Sequence, residues 1–215
     1  MSRHHGSLPP AYFDALYAGD PDPWRFAESD YERQKYTATL AALPHPRYRS
    51  ALEVGCSIGV FTRQLAARCD AVLAVDAAAA PLAAARLRCA DLAQVAFAQM
   101  QVPRDWPAPA ERFDLILLSE VVYYLDAADV RRLAEQVGAA VAPGGDILLV
   151  HWTGETDYPL SGDEATAIFL AAIAGRAEVT LSQRMPAYRM DRLRAFGQAP
   201  RALADGSGCA GKGPR

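Results

Sequence analysis

The sequence has no excess of basic residues and no long uninterrupted apolar segment. Its 215 residues include 22 lysines and arginines against 25 aspartates and glutamates, so its net charge is −3. Binding of nucleic acid through a concentrated basic face is therefore not expected. Asp76 and Pro81 interrupt the most apolar region, and the N-terminus lacks the apolar core of a signal peptide. We therefore expect no insertion into a membrane.

Cysteines are few, and their spacing does not suit a metal site. The four cysteines lie far apart, with no CxxC pair and no histidine cluster at metal-ligand spacing. No metal is therefore expected. Isolated cysteines are typical of a reducing compartment, so we expect a cytoplasmic protein. The sequence is compatible with a monomer but does not fix the oligomeric state.

Short apolar runs alternate with segments of helical spacing through the body of the chain. The runs predict strands at residues 51–54, 71–75, 95–98, 113–118 and 146–150. Between several of them, apolar residues recur three or four positions apart, as on the buried face of a helix. This alternation predicts an α/β protein with a doubly wound parallel sheet covered by helices on both faces.

Further elements flank this alternating region. Residues 29–43 are expected to form a helix, because Ser29 and Glu32 have the spacing of a capping box and apolar residues then share one face. A helix within residues 163–174 is predicted after the fifth strand. Two more strands are predicted at residues 178–183 and 188–193.

The chain is expected to form a single domain over residues 11–195. Within it, residues 11–45 are interpreted as an N-terminal lid segment. Residues 1–10 are expected to be flexible. Residues 196–215 are rich in glycine, proline and alanine and poor in apolar bulk, so they are expected to be disordered.

Two glycines follow the first predicted strand in the stretch EVGCSIG, residues 53–59. Doubly wound folds bind ligands at such turns, and glycine lets the backbone approach a ligand closely. Gly55 and Gly59 do not complete the GxGxxG fingerprint of dinucleotide sites, because Ser57 takes the place of its second glycine. The preceding carboxylate, Glu53, would repel phosphate and attract a cation. The turn therefore either admits a ligand without phosphate or is a tight strand–helix connection alone.

Asp76 ends the second predicted strand, about twenty residues after the first glycine, where a carboxylate can accept hydrogen bonds from both hydroxyls of a ribose. Alternatively, it only caps the helix that follows. A ligand that carries a ribose and a positive charge but no phosphate is S-adenosylmethionine. The glycine turn and Asp76 together favour this cofactor.

Four ordered motifs resemble those of the class I S-adenosylmethionine-dependent methyltransferases. They are EVGCSIG, VLAVD, FDLILLSEVVYYL and VAPGGDILLV, and they lie within residues 51–152. The resemblance implies a Rossmann-like seven-stranded sheet with an N-terminal helical lid. It also implies S-adenosylmethionine as the cofactor and methyl transfer as the reaction.

The stretch FDALYAGDPDPWRFAESDYERQKY, together with SEVVYYL and YRMDRLR, resembles the nodulation protein S family. The likeness extends over residues 11–194. Members of that family N-methylate a glucosamine amine on a deacetylated chitooligosaccharide, so the resemblance implies such an acceptor. The alternatives are O- or N-methylation of another small-molecule acceptor, and a protein that binds the cofactor without catalysis.

The resemblance implies a cofactor site made of the glycine turn, the strand ends and the lid. The body residues expected to contact the cofactor are Glu53, Gly55, Cys56, Gly59, Asp76, Ala77, Met100, Gln101 and Ser119. Tyr31 and Lys35 lie four positions apart on the lid helix, so both could reach the methionine portion. Trp24 either joins them or only anchors the segment.

Glu120 and His151 are the predicted catalytic residues. Glu120 follows the fourth strand, where the resembling family has residues that face the acceptor. It would take the proton of an amine or hold the amine by a charge-assisted hydrogen bond, unless it caps the next helix or pairs with an arginine. His151 ends the fifth strand and titrates near neutrality, with packing as the alternative. Tyr123, Tyr124 and Trp152 are predicted to bind the substrate, although packing is an alternative for Trp152 and for one of the tyrosines.

Overall fold

The computed structural model describes residues 3–108 and 111–197. The helices are α1 (Pro10–Gly19), α2 (Asp30–Ala41), α3 (Val60–Leu65), α4 (Ala79–Arg88), α5 (Ala127–Ala140) and α6 (Gly162–Ile173). The strands are β1 (Ala51–Val54), β2 (Val72–Asp76), β3 (Val95–Gln99), β4 (Phe113–Ser119), β5 (Val141–Trp152), β6 (Ala177–Arg184) and β7 (Tyr188–Ala195). Short 3₁₀ turns follow α3 at Ala66–Arg68 and β4 at Val122–Tyr124. The prediction of disorder for residues 196–215 falls, from residue 198 onward, outside the described residues.

The strands in the described part of the chain form a seven-stranded sheet in the order β3-β2-β1-β4-β5-β7-β6. Strands β1 to β5 are parallel, whereas β7 runs antiparallel to both of its neighbours. The order along the sheet reverses between β1 and β4, which opens a crevice beyond the carboxyl ends of these strands. The predicted doubly wound, seven-stranded sheet is confirmed.

Helices cover both faces of the sheet and form two apolar cores. One core packs α5 and α6 against the sheet, and the other packs α2, α3 and α4 against the opposite face. In β4, Ile116 and Leu118 belong to the first core, and Leu115 and Leu117 belong to the second. This is why β4 reads as a continuous apolar run. Within residues 3–108 and 111–197, every helix is too short or too polar to cross a membrane.

Residues 1–10 are expected to be flexible, yet residues 7–10 of this segment contact the body. Leu8 is buried in the first core, and its backbone N–H donates to the carbonyl oxygen of Tyr124 at 2.8 Å. The hydroxyl of Ser7 accepts from the backbone N–H of Asp126 at 2.9 Å, and Pro10 already begins α1. This segment fastens the start of the lid to the body. The segment carries no periodic sequence pattern, because it contacts residues that are distant in the sequence.

The turn signal Pro-Gly-Gly predicts that the fifth strand starts at residue 146. In the structure, β5 already starts at Val141. Val141 pairs with Phe113, and Asp146 pairs with Leu115, so the residues between them form a bulge in the ladder. Gly144 supplies the positive φ of this bulge, at +72°. The glycines therefore bend the strand instead of preceding it.

The cysteines within the described ranges are free and buried: Cys56, Cys69 and Cys89. Burial raises the pKa of each thiol, which for Cys69 reaches about 12. At neutral pH the reactive thiolate form is therefore scarce at all three positions.

Gly59 ends the turn after β1 and has a φ of +76°. A Cβ atom at this position would lie 2.9 Å from both Cα and Cβ of Ala85 in α4. Gly144 has a similar φ of +72°, but a Cβ there would meet nothing within 4 Å. A substitution of Gly144 therefore introduces backbone strain alone, whereas a substitution of Gly59 introduces backbone strain and a steric contact with α4.

Gly144→Ala should lower the free energy of unfolding by about 1–2 kcal/mol, the cost of a side chain in the left-handed region. Gly59→Ala should cost about 1–3 kcal/mol more, because the methyl group also displaces α4. Urea unfolding followed by circular dichroism compares the two variants with the parent. Equal losses in both variants would show that α4 accommodates the methyl group.

Candidate active site

A cavity of about 380 Å³ lies at the carboxyl edge of the sheet, at the point where the strand order reverses. Residues at the ends of β1 to β5 line it from below, and residues of the segment from α1 to α2 cover it. Doubly wound folds bind ligands at this position, and the volume is within the range of small-molecule sites.

Most of the predicted site residues line this cavity. They are Trp24, Tyr31, Lys35, Glu53, Gly55, Cys56, Asp76, Ala77, Met100, Gln101, Ser119, Glu120, Tyr123, Tyr124 and Trp152. The described residues that line it do not include Gly59 or His151. Gly59 packs against α4 instead, so its predicted cofactor contact is not supported and its role is to shape the turn.

The carboxylate of Asp76 fixes the conformation of the glycine turn. Its Oδ2 accepts from the backbone N–H of Ser57 at 2.9 Å, and its Oδ1 accepts from that of Ala78 at 3.0 Å. Burial raises the pKa of Asp76, although these N–H groups oppose the shift. A carboxylate oxygen accepts two hydrogen bonds, so each can still accept one from a ligand. Asp76 therefore caps the segment before α4 and remains suited to a ribose.

The lid contacts the glycine turn through Tyr17, which is not among the predicted site residues. The Tyr17 hydroxyl lies 2.6 Å from the Ser57 hydroxyl, and the contact is buried. The Tyr17 ring packs edge to face on Trp24, with centroids 5.7 Å apart, and Trp24 stacks on Phe26 at 5.6 Å. Trp24 therefore anchors the segment and lines the cavity at once.

A buried ion cluster joins α2 to the end of β4. The ammonium of Lys35 donates to Glu32 Oε1 at 2.9 Å and to Glu120 Oε1 at 2.6 Å. It also lies 5.2 Å from the ring centroid of Tyr31. Burial opposes the charged form of Lys35, but the two carboxylates outweigh it and raise the pKa. Lys35 lines the cavity as predicted, yet its charge is committed to Glu32 and Glu120.

Glu120 follows β4 with a φ of +55° and is held by donors on both oxygens. Oε1 accepts from Lys35, while Oε2 accepts from the Tyr123 hydroxyl at 2.6 Å and from the backbone N–H of Trp152 at 2.9 Å. Burial alone would raise the pKa of Glu120, but Lys35 and the other neighbours outweigh it and lower the pKa. This speaks against the prediction that Glu120 is the base. It favours the alternative that Glu120 holds a positive charge. The charged partner of Glu120 is Lys35, whereas the alternative from the sequence is an arginine.

The prediction of His151 as a base is also not supported. The side chain is fully buried, and its Nε2 accepts from the backbone N–H of Val122 at 3.2 Å. Burial lowers the pKa of His151 to about 4, against the opposing effect of Glu120. The imidazole is therefore neutral, and the lone pair of Nε2 is already engaged. His151 instead braces the turn after β4, which is the packing alternative.

Aromatic rings form the cavity wall beside Glu120. Tyr123 stacks on Tyr158 with centroids 5.3 Å apart, and Tyr124 meets the same ring edge to face at 4.6 Å. Tyr31 meets Trp152 edge to face at 6.0 Å. Trp152 is 38% exposed, so it forms part of the rim. Both predicted tyrosines are buried and line the cavity, which makes packing and lining compatible roles.

The cavity has an excess of negative charge. Among the described residues that line it, the carboxylates are Glu32, Glu53, Asp76 and Glu120, and the cation is Lys35. In this part of the chain, Glu53 Oε2 and Glu32 Oε2 are buried without a hydrogen-bond partner. Such a site disfavours phosphate and suits a ligand with a sulfonium or ammonium group. With Asp76 for a ribose and aromatic rings for an adenine, these residues fit S-adenosylmethionine.

Several lining residues were missed because the sequence assigns them other roles. Tyr36 carries the packed face of α2, Glu32 has the position of a capping residue, and Tyr158 stands in a loop without a motif. One available signal is the spacing of Glu32 and Lys35, three positions apart on one helix face.

Comparison with known families agrees with the resemblance found in the sequence. The family model of nodulation protein S (NodS) matches residues 16–149. Nodulation protein S of Rhizobium tropici is 33% identical over 129 residues, which cover 59% of this chain and 53% of the relative. That of Bradyrhizobium diazoefficiens is 33% identical over 124 residues, which cover 57% and 58%. The chain thus spans little more than half the length of the curated relatives it matches.

Solved structures show the same architecture. A candidate methyltransferase from Pseudomonas syringae superposes with a TM-score of 0.67 and is 36% identical, with 76% of this chain and 98% of that chain covered. The N-methyltransferase NodS from Bradyrhizobium japonicum, in complex with S-adenosyl-L-homocysteine, gives a TM-score of 0.75 at 23% identity, with 86% and 97% covered. The fold is therefore the class I Rossmann-like methyltransferase fold.

Glu53 should make the stability of the protein depend on pH. Burial raises its pKa from 4.5 to about 7, so the folded state favours the protonated acid. Below pH 4.5, Glu53 is protonated in both the folded and the unfolded state and does not reduce the stability of the protein. As pH rises from 4.5 through 7, the unfolded state releases this proton more readily, so the folded state loses stability. Glu53→Gln should therefore gain about 3 kcal/mol of unfolding free energy over the parent between pH 4.5 and 8.

Urea unfolding at pH 5 and pH 8 measures this difference. Glu178→Gln, which changes an exposed glutamate at the start of β6, is the matched control and should show no such gain. If the difference between Glu53→Gln and the parent stays constant with pH, Glu53 is not protonated in the folded protein near neutrality.

Proposed function

This chain belongs to the nodulation protein S family, and on that premise we propose that it is an S-adenosylmethionine-dependent methyltransferase. Its proposed acceptor is a free amine of a deacetylated chitooligosaccharide. The observation that carries the proposal is the anionic, aromatic-lined cavity at the point where the strand order reverses. It offers carboxylates to two cationic reactants, a sulfonium and an ammonium.

Several residues are assigned to the cofactor half of the cavity. When bound, S-adenosylmethionine supplies a methyl group already activated by its sulfonium, so the protein has to orient the reactants and exclude water. Asp76 would accept hydrogen bonds from the ribose, Glu53 would accept one from the ammonium of the methionine portion, and Met100 would contact the adenine. Tyr17 and Trp24 cover this half and keep water out.

Glu120 is assigned to the acceptor half. Its Oε1 accepts one hydrogen bond, from Lys35, and can accept another from the acceptor nitrogen. Because Tyr123 and the backbone of Trp152 fix Oε2, the carboxylate is held in one orientation. The rings of Tyr123 and Trp152 suit the apolar face of a sugar. Glu120 therefore orients the amine rather than deprotonating it.

A second candidate function is N-methylation of a different amine. The family model ends at residue 149, whereas Trp152, Thr156 and Tyr158 also line the cavity. Part of the acceptor wall is therefore built from residues that the family match does not cover. This leaves the methyl transfer in place but allows another acceptor.

Methyl transfer from labelled S-adenosylmethionine to a panel of acceptors tests the proposal. The panel contains partly deacetylated chitooligosaccharides, free glucosamine and fully acetylated chitin fragments. We expect label on the oligomers that carry a free amine. Label on free glucosamine at equal rate would favour the second candidate. No label on any amine, despite cofactor binding, would reject the sugar-amine acceptor.

Asp76→Ala should weaken binding of S-adenosylhomocysteine by about 1–3 kcal/mol, because the ribose loses an ionised hydrogen-bond partner. Isothermal titration calorimetry measures the dissociation constant. Asp70→Ala, which removes a carboxylate paired with Arg47 outside the cavity, is the control. Unchanged affinity in Asp76→Ala would remove Asp76 from the site.

Glu120→Gln should slow methyl transfer by about 100-fold or more, because the amide does not hold the acceptor nitrogen as the carboxylate does. Its affinity for S-adenosylhomocysteine should change much less. Tyr123→Phe, which keeps the carboxylate and removes one of its donors, should have a smaller effect on turnover. Equal turnover in Glu120→Gln and the parent would show that Glu120 does not act on the acceptor.

A further inference from the structure

We propose that Glu32 is the residue that takes the proton from the acceptor nitrogen, an inference that rests on the proposed function. Glu32 is on the first turn of α2 and lines the cavity, and its side chain is 8% exposed. Its Oε1 accepts from Lys35, whereas Oε2 is buried with no hydrogen bond of normal geometry among residues 3–108 and 111–197, and the Tyr36 hydroxyl is a neighbouring donor to this carboxylate. A proton acceptor is thus available beside the group that holds the amine.

The position of Glu32 relative to Glu120 is fixed by Lys35. The same ammonium is 2.9 Å from Glu32 Oε1 and 2.6 Å from Glu120 Oε1. Two carboxylates that bind the same ammonium at these distances are close neighbours, and Glu120 is among the charged groups that act on Glu32. An amine held at Glu120 thus binds in the vicinity of Glu32.

The other carboxylates of the cavity are less suited to this task. Asp76 accepts backbone N–H groups on both oxygens, and Glu120 accepts three donors. Glu53 has Asp76 as its charged neighbour, on the glycine-turn side of the cavity. Glu32 combines a free oxygen with proximity to Glu120.

A comparison within the chain shows that Glu32 does not make the hydrogen bond that its position in a capping box predicts. Ser29 and Glu32 have the same spacing as Ser161 and Glu164, and both serines cap a helix. In α6 the box is reciprocal, since Glu164 returns to the backbone N–H of Ser161 at 2.8 Å. In α2 only the serine half forms, at 3.4 Å, and Glu32 turns inward to Lys35 instead. A local rule broken in favour of a buried charge is typical of a functional residue.

The surroundings of Glu32 favour protonation. Burial raises its pKa, and Lys35 opposes the shift. Facing groups on α2 are Lys35, Tyr36 and Tyr31, and the one after β4 is Glu120. Tyr36 in turn also faces Glu53 of β1. A carboxylate with a raised pKa accepts a proton more readily near neutral pH.

The step balances as follows. The acceptor enters as an ammonium, and one N–H bond breaks with transfer of the proton to Glu32 Oε2. The freed lone pair of the nitrogen forms a bond to the methyl carbon, and the carbon–sulfur bond breaks with its electron pair left on sulfur. The product is a secondary ammonium, and Glu32 later releases its proton to solvent.

The test is the pH profile of single-turnover methyl transfer to partly deacetylated chitotetraose, in the parent and in Glu32→Gln. At pH 6.5 the variant should be about 100-fold slower. The deficit should shrink as pH rises past the pKa of the amine, because neutral amine then binds directly. Glu164→Gln is the matched control, since it removes the glutamate of the other capping motif and should keep the parent profile.

Glu32→Asp keeps the charge that pairs with Lys35 and draws the carboxylate back from the nitrogen, and it serves if Glu32→Gln does not fold. It should show the same pH-dependent deficit. A deficit of equal size at every pH would mean that Glu32 acts only through Lys35, which overturns the proposal. A parent-like rate would overturn it as well. If the parent labels no amine, the proposed function fails, whereas an active parent with an unaltered variant profile rejects Glu32 alone.

Discussion

The buried contact of Lys35 with Glu32 and Glu120 is the interaction on which the site depends. It places three charged groups out of water, where removal of one partner leaves another uncompensated. It also connects α2 of the lid to the turn after β4, two parts distant in sequence. The position of α2 over the cavity and the orientation of Glu120 are therefore coupled. The cluster keeps one negative charge unmatched, which a cationic reactant can neutralise.

The same excess of carboxylates explains why a common fold selects an uncommon ligand class. Open α/β sheets often bind phosphate at the turn after the first strand. Here Glu53 is buried directly before that turn, and Asp76 is beside it. A phosphate would meet repulsion from Asp76 and, once Glu53 is ionised, from both carboxylates. The glycine turn retains the geometry of a nucleotide site, but the carboxylates beside it favour a positively charged ligand over a phosphate.

The sequence predicted the sheet well because its strands are buried on both faces and read as continuous apolar runs. The location of the strand-end residues in the cavity could be predicted as well, because the carboxyl ends of the parallel strands meet at one edge of the sheet. The roles of Glu120 and His151 could not, because they depend on partners far along the chain: Lys35 for the first and Val122 for the second. Tyr17 could not be predicted either, because its partner Ser57 lies forty residues further along the chain.

The burial of Cys56, Cys69 and Cys89 has a practical consequence for labelling the lid segment. Thiols with raised pKa values and no access to solvent react slowly with maleimide dyes at neutral pH. With Cys209 replaced, a cysteine introduced on an exposed position of α2, such as Gln34, becomes the preferred site of labelling. A fluorophore at that point reports any movement of α2 relative to the cavity in the otherwise native protein, without removal of the thiol beside the glycine turn.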